Sequence, residues 1–137
     1  MATMVDFPSN GGTASGYLAT PDGGSGPGVI VIQEWWGLDS GIKEMADRLA
    51  VAGFVALAPD LYHGELAGHT EMDRAGELMT AMPIDRAARD MSGAVDFLAD
   101  HDATTGDGRP STGLTRISGS SARSRRVSIW SSGRSGL

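Results

Sequence analysis

In "VIVIQEWWGLDSGIKEMADRLAVAGFVALAP", residues 29–59, two apolar runs flank an amphipathic one. Residues 29–33 open with Val29, Ile30, Val31 and Ile32, β-branched and without alternation, so both faces of this strand should be covered. That predicts a central, parallel strand. Ile42, Met45, Ala46, Leu49 and Ala50 recur at helical spacing, which predicts a helix over about 40–52. Asp39 or Ser40 can cap it, Glu44 suits its first turn, and Gly53 suits the C′ position. Residues 54–58 form a second buried strand, stopped by Pro59. Strand, helix and strand within about thirty residues is a βαβ unit with a right-handed crossover. The fold class is therefore α/β.

Upstream, residues 3–7 alternate apolar and polar as a half-buried strand does. Asn10-Gly11 is a hairpin signal and 15–19 the returning strand. Residues 21–28 read as a loop. Downstream, 59–72 is a loop, a short helix lies near 72–82, and Pro83 breaks it. Residues 85–100 form the longest helix, with Ile84, Ala87, Met91, Val95 and Leu98 as its stripe. After "DHDATTGDG" (100–108) another buried strand is due, and no run like "VIVI" follows.

Charge breaks at the same place. Residues 1–108 carry five basic side chains against all seventeen acidic ones, while 109–137 carry six arginines and no acid. The tail is rich in Ser, Arg and Gly and holds no period for long, so disorder is expected there. The organisation read is 1–108 as a packed unit and 109–137 as a tail outside it. A shifted reading frame in GC-rich coding DNA would give such a tail. If the strand after 108 is missing, "VIVIQ" becomes an exposed apolar edge and the domain marginally stable.

Composition removes several functions. A net charge of −6 disfavours nucleic acid as a partner for the whole protein. With no cysteine there is no disulfide, thiolate metal site or thiol nucleophile. "MATMVDFPSN" has neither a basic n-region nor an apolar h-region, and no apolar run reaches the ~18 residues of a membrane span. The expectation is a cytoplasmic protein. His63, Glu65 and His69, with Asp60 upstream, match no zinc spacing, and no phosphate-binding or dinucleotide glycine loop occurs, so no metal or cofactor is expected.

Gln33-Glu34-Trp35-Trp36-Gly37 sits where open α/β sheets bind ligands, at the carboxyl end of a strand. A carboxylate beside two indoles would be desolvated and hold its proton more tightly. It could then exchange a proton near neutral pH, while the next backbone N–H faces a developing oxyanion. The alternative is a partly exposed loop Glu with the indoles filling core.

The stretch from Gln33-Glu34 through Pro59-Asp60-Leu61-Tyr62, with "DRAARDMSGAVDFLADH" beyond it, resembles the dienelactone hydrolase family, carboxymethylenebutenolidase-like enzymes of the α/β-hydrolase superfamily. The resemblance runs from about residue 15 to 108. It implies a partial α/β-hydrolase fold: N-terminal hairpin, then βαβ in a mostly parallel sheet, with the elbow strand and C-terminal half missing. It implies hydrolysis of small-molecule lactones or esters. By the family match, Glu34 is the carboxylate that activates a thiol and Trp35 gives an oxyanion N–H. Trp36 and Arg74 are the substrate-binding candidates, Arg74 toward a substrate carboxylate.

The departures concern chemistry. The family's nucleophile is a cysteine in a G-x-C-x-G elbow, assisted by a later Asp and His. Here neither G-x-C-x-G nor G-x-S-x-G occurs, and His63, His69 and His101 all precede the elbow's place. Losing a nucleophile costs roughly 10⁶ in kcat. The chain therefore reads as truncated or frameshifted and catalytically incomplete. The alternative is a non-catalytic half-fold that binds nucleic acid or an acidic protein through its basic tail, with "RSRR" (123–126) on phosphates and Trp130 stacking.

Overall fold

The computed structural model describes residues 1–9, 11–105, 126–132 and the backbone of 114–118. Its strands are β1 (Ala2–Ser9), β2 (Gly12–Ala19), β3 (Gly26–Val31), β4 (Val55–Pro59), β5 (Thr104–Thr105), β6 (Leu114–Ser118) and β7 (Arg126–Trp130). Its helices are α1 (Ser40–Val51), α2 (Met72–Ala81) and α3 (Ile84–Asp100). The sheet order is β1-β2-β4-β3-β7-β6, with β5 also pairing β3. β3 runs parallel to β4, β5 and β7, and β1–β2, β2–β4 and β6–β7 are antiparallel.

The βαβ unit forms as its pattern predicts. Val29 and Val31 point to one face, where they meet Ile42, Ala46 and Ala50 of α1. Ile30 points to the other, with Leu57, and meets Ala94, Val95 and Leu98 of α3. All three β3 residues are fully buried, so a helix on each face explains the unbroken apolar run. Asp39 is the cap of α1: its Oδ1 accepts from Ile42 N at 3.1 Å. Glu44 lies beyond the first turn and pairs instead with Arg48 at 3.0 Å. Gly53 has φ +102°, which suits a residue without Cβ at C′.

α3 buries most of the expected stripe: Val95 and Leu98 are buried and Met91 packs against the core, while Ile84, at the helix start, is 84% exposed. Asp90, Ala94 and Ala99 are buried as well, which widens the buried face. The helix also lies close to β1: a Cβ on Gly93 would be 2.5 Å from the Pro8 carbonyl oxygen.

The expected gap beside β3 does not exist. The missing-strand expectation and the expectation of a disordered tail are both corrected at 126–130: β7 lies in parallel register with β3, Gly28 to Val31 opposite Val127 to Trp130. Hence "VIVIQ" is not an open edge. Val127 is 1% exposed and joins the core cluster of Leu98 and Ile30. The tail's average composition concealed a short β-competent run, "RVSIW", with two β-branched aliphatics and no proline or glycine. A buried strand with unpaired amides recruits such a run, because orphaned backbone groups are costly there. The turn at "GDG" and the "RSR" of 123–125 lie outside the described residues.

Candidate functional site

Three segments meet at the carboxyl end of the parallel strands. They are the β3 end (Gln33 to Leu38), the β4 end (Asp60 to Thr70) and the β7 end (Ser131, Ser132). Asp60, buried, folds the β4 loop on itself: its Oδ1 accepts from Tyr62 N at 3.2 Å and its Oδ2 from Gly64 N at 2.7 Å. Gln33 joins the two loops, its Oε1 accepting from Leu61 N at 2.9 Å. Arg86 Nη2 donates to the Leu61 carbonyl at 3.3 Å. Ala67 N donates to the Trp36 carbonyl at 2.9 Å, so the second half of the β4 loop closes onto the β3 loop.

Glu34 stands in this frame half-buried. Its carbonyl accepts from Gly37 N at 3.0 Å, which makes a tight turn through Trp35 and Trp36. Gly37 has φ +103°, and a Cβ there would meet the Glu65 carbonyl oxygen at 2.9 Å. The turn requires glycine for both reasons. Among the described residues, the Glu34 carboxylate has no hydrogen-bond or ion-pair partner, and the Trp35 N–H has no acceptor. An unsatisfied N–H beside an unpaired carboxylate at a strand end is a placement suited to meeting a polar reactant.

The indoles are half-buried. Trp35 and Trp36 lie 5.0 Å apart between ring centroids and pack on Tyr62, Ala67, Ala75 and Leu78. Burial pushes the Tyr62 phenol above its ordinary pKa. Trp36 also carries His69 on one face, 4.7 Å away and stacked at 22°. His69 Nε2 is 2.7 Å from Asp39 Oδ2, the same carboxylate that caps α1. The sequence gives no sign of this contact, because thirty residues separate the pair.

Arg74 is engaged elsewhere. It forms an ion pair with Glu65 and lies 3.9 Å from Glu77. These contacts are about half exposed, and each such pair contributes little to stability. Of the four site residues expected from sequence, Glu34, Trp35 and Trp36 form one loop. Arg74 is on α2, facing the β4 loop through Glu65. Ser131 and Ser132 follow β7 directly and are exposed, with Trp130 opposite Val31 across the strand pair.

Among the described residues, no group of three or more His, Asp or Glu side chains is placed to hold a metal. No described helix is long and apolar enough to cross a membrane. A cavity of about 530 Å³ lies at the opposite end of the sheet, lined by Met1, Tyr17, Thr20, Asp22, Asp47 and Val51. It has no part in the strand-end arrangement.

Comparison with known proteins shows the family. The sequence profile of the dienelactone hydrolase family matches residues 14–108. Protein usf of Aquifex pyrophilus is 51% identical over 104 residues, covering 72% of this chain and 44% of that protein. A protein from Aquifex aeolicus described as a candidate carboxymethylenebutenolidase is 46% identical over 104 residues, with the same coverage. The crystal structure of a candidate dienelactone hydrolase from Klebsiella pneumoniae superposes with a TM-score of 0.65 at 28% identity. It covers 77% of this chain and 45% of that one. The chain thus spans under half the length of the relatives it matches.

Proposed function

Because the chain belongs to the dienelactone hydrolase family, we propose that it carries the carboxylate and oxyanion half of a site for lactone or ester hydrolysis. Among the 137 residues there is no G-x-C-x-G or G-x-S-x-G elbow to supply the nucleophile half. The observation that carries this reading is the placement, at the end of β3, of a Glu34 carboxylate and a Trp35 N–H that have no partner among the described residues. Each suits one task. The carboxylate takes a proton from a neighbouring nucleophile, and the N–H stabilises the oxyanion of a tetrahedral intermediate. Trp36 gives the apolar wall for a small substrate. Arg74 would take a substrate carboxylate only by leaving Glu65.

With no cysteine, Glu34 has no thiol to activate. The serines after β7 follow the strand that pairs with β3, but Ser131 has Gly133 after it and Ile129 where the first elbow glycine would be, Ser132 has neither glycine, and no histidine stands in the family's position. Loss of a nucleophile costs roughly 10⁶ in kcat, which puts lactone turnover at the level of buffer.

Two measurements test this. Dienelactone hydrolysis by the intact chain should equal buffer, and turnover that falls in Glu34→Gln would show a complete site instead. Placing a thiol at the β7 end, as Ser131→Cys or Ser132→Cys, tests the half-site itself. Iodoacetamide should alkylate one of these thiols at a rate that changes when Glu34→Gln is added. If neither rate depends on Glu34, the carboxylate does not serve that position.

A further inference from the structure

Asp90 is the one carboxylate of α3 turned into the protein, 3% exposed, and it is bonded on both oxygens. Ser9 Oγ, at the end of β1, donates to its Oδ1 at 2.5 Å. His63 Nε2, in the β4 loop, is 2.6 Å from its Oδ2. His63 is the one non-glycine residue with positive φ (52°) among those described. Its side chain is 38% exposed, and its Nδ1 has no partner among the described residues. None of these residues belongs to the Glu34 loop.

We propose that His63 is a nucleophilic imidazole that accepts acyl groups from small activated donors such as aryl esters, pyrocarbonates and acyl phosphates. A carboxylate can only accept, so the Asp90 contact holds the imidazole proton on Nε2 and leaves the lone pair on Nδ1. Ser9 holds the carboxylate in turn, as the third member of a nucleophilic constellation orients the second. Burial of Asp90 strengthens its stabilisation of positive charge on the ring. The left-handed backbone at His63 aims the ring at Asp90, and such backbone is retained where surrounding contacts over-determine it.

The chemistry balances with water alone. The Nδ1 lone pair attacks the carbonyl carbon, and the C–X bond breaks with its electron pair leaving on X. The resulting acylimidazolium keeps its Nε2 proton against Asp90. Water then adds to the acyl carbon and gives up one proton to the departed X⁻ or to solvent, the N–C bond breaks, and the acid leaves with the other proton, restoring neutral imidazole. The His63 side chain is 38% exposed, so the site selects donors by reactivity more than by shape.

The test is ethoxycarbonylation of the intact chain by diethyl pyrocarbonate, followed at each histidine by peptide mass spectrometry. His69 and His101 report in the same sample. In the wild-type chain His63 should react faster than His101. Asp90→Asn allows the wrong tautomer and should lower the His63-to-His101 rate ratio by about tenfold or more. An unchanged or raised ratio in that variant overturns the proposal, since Asp90 would then only shield the ring. If Asp90→Asn unfolds the chain, all three histidines accelerate together, and Ser9→Ala decides. A lowered ratio there supports the proposal, and an unchanged one overturns it. The proposal does not rest on the family reading: the Glu34→Gln result above leaves the His63 rate untouched.

Discussion

Trp130 lies opposite Val31, at the ends of two parallel strands that are 99 positions apart in the chain. Its carbonyl accepts from Ile32 N at 2.9 Å, which carries the ladder one residue past the strand. This pairing closes the flank of β3 and sets Ser131 beside the Gln33-Glu34 loop.

Val127 anchors that pairing in the core at 1% exposure. Val127→Asp would bury an unpaired carboxylate between Leu98 and Ile30. The expected loss is about 3 kcal/mol or more, read as a lower urea midpoint at constant slope. An unchanged midpoint would mean that β7 does not dock on β3 in solution.

Gly93 lets α3 touch β1. Gly93→Ala gains helix propensity of about 1 kcal/mol but puts a methyl 2.5 Å from a backbone oxygen that cannot rotate away. Overpacking of this kind costs about 1–3 kcal/mol, so the net effect should be destabilising. Thermal denaturation decides the sign, and a stabilised variant would refute the close packing of α3 on the strand.

Asp39 has two tasks. Asp39→Ala should cost about 1 kcal/mol for the lost cap, plus the His69 contact. Asp39→Asn keeps a capping oxygen and should retain most of that stability. A double-mutant cycle with His69→Ala isolates the histidine's share. A coupling energy of zero would mean that His69 rests on Trp36 by stacking alone.

Tyr62 gives the alkaline prediction. Burial raises its folded-state pKa above the ordinary value of 10.0. The unfolded chain therefore releases this proton first as pH rises. The contribution is fully present below about pH 10 and is lost as pH rises from there through the folded pKa. Tyr62→Phe should flatten this part of the stability-versus-pH curve. Identical slopes in both proteins would place the phenol in water.

The sequence by itself determined what depends on neighbours along the chain. The unbroken run Val29 to Ile32 required cover on both faces. The 3.6-residue stripe of 42–50 made α1, and Gly53 ended it. The strand-end position of Glu34, Trp35 and Trp36 followed from where the run stops. Each rests on local periodicity or backbone chemistry, which a single chain displays directly.

What the tertiary structure alone decided concerns groups far apart in sequence. The partner of β3 was hidden because five residues of "RVSIW" were averaged into a polar tail. Their fate depended on an open strand flank rather than on their own propensity. The burial of Asp90 beside the apolar stripe depends on partners from β1 and the β4 loop, which no helical stripe encodes. Ser9 and His63 meet on that carboxylate across 81 and 27 residues. Side chains at such separations find each other only after the sheet and its helices have set the distances, so the sequence carries the groups and the packing makes the site.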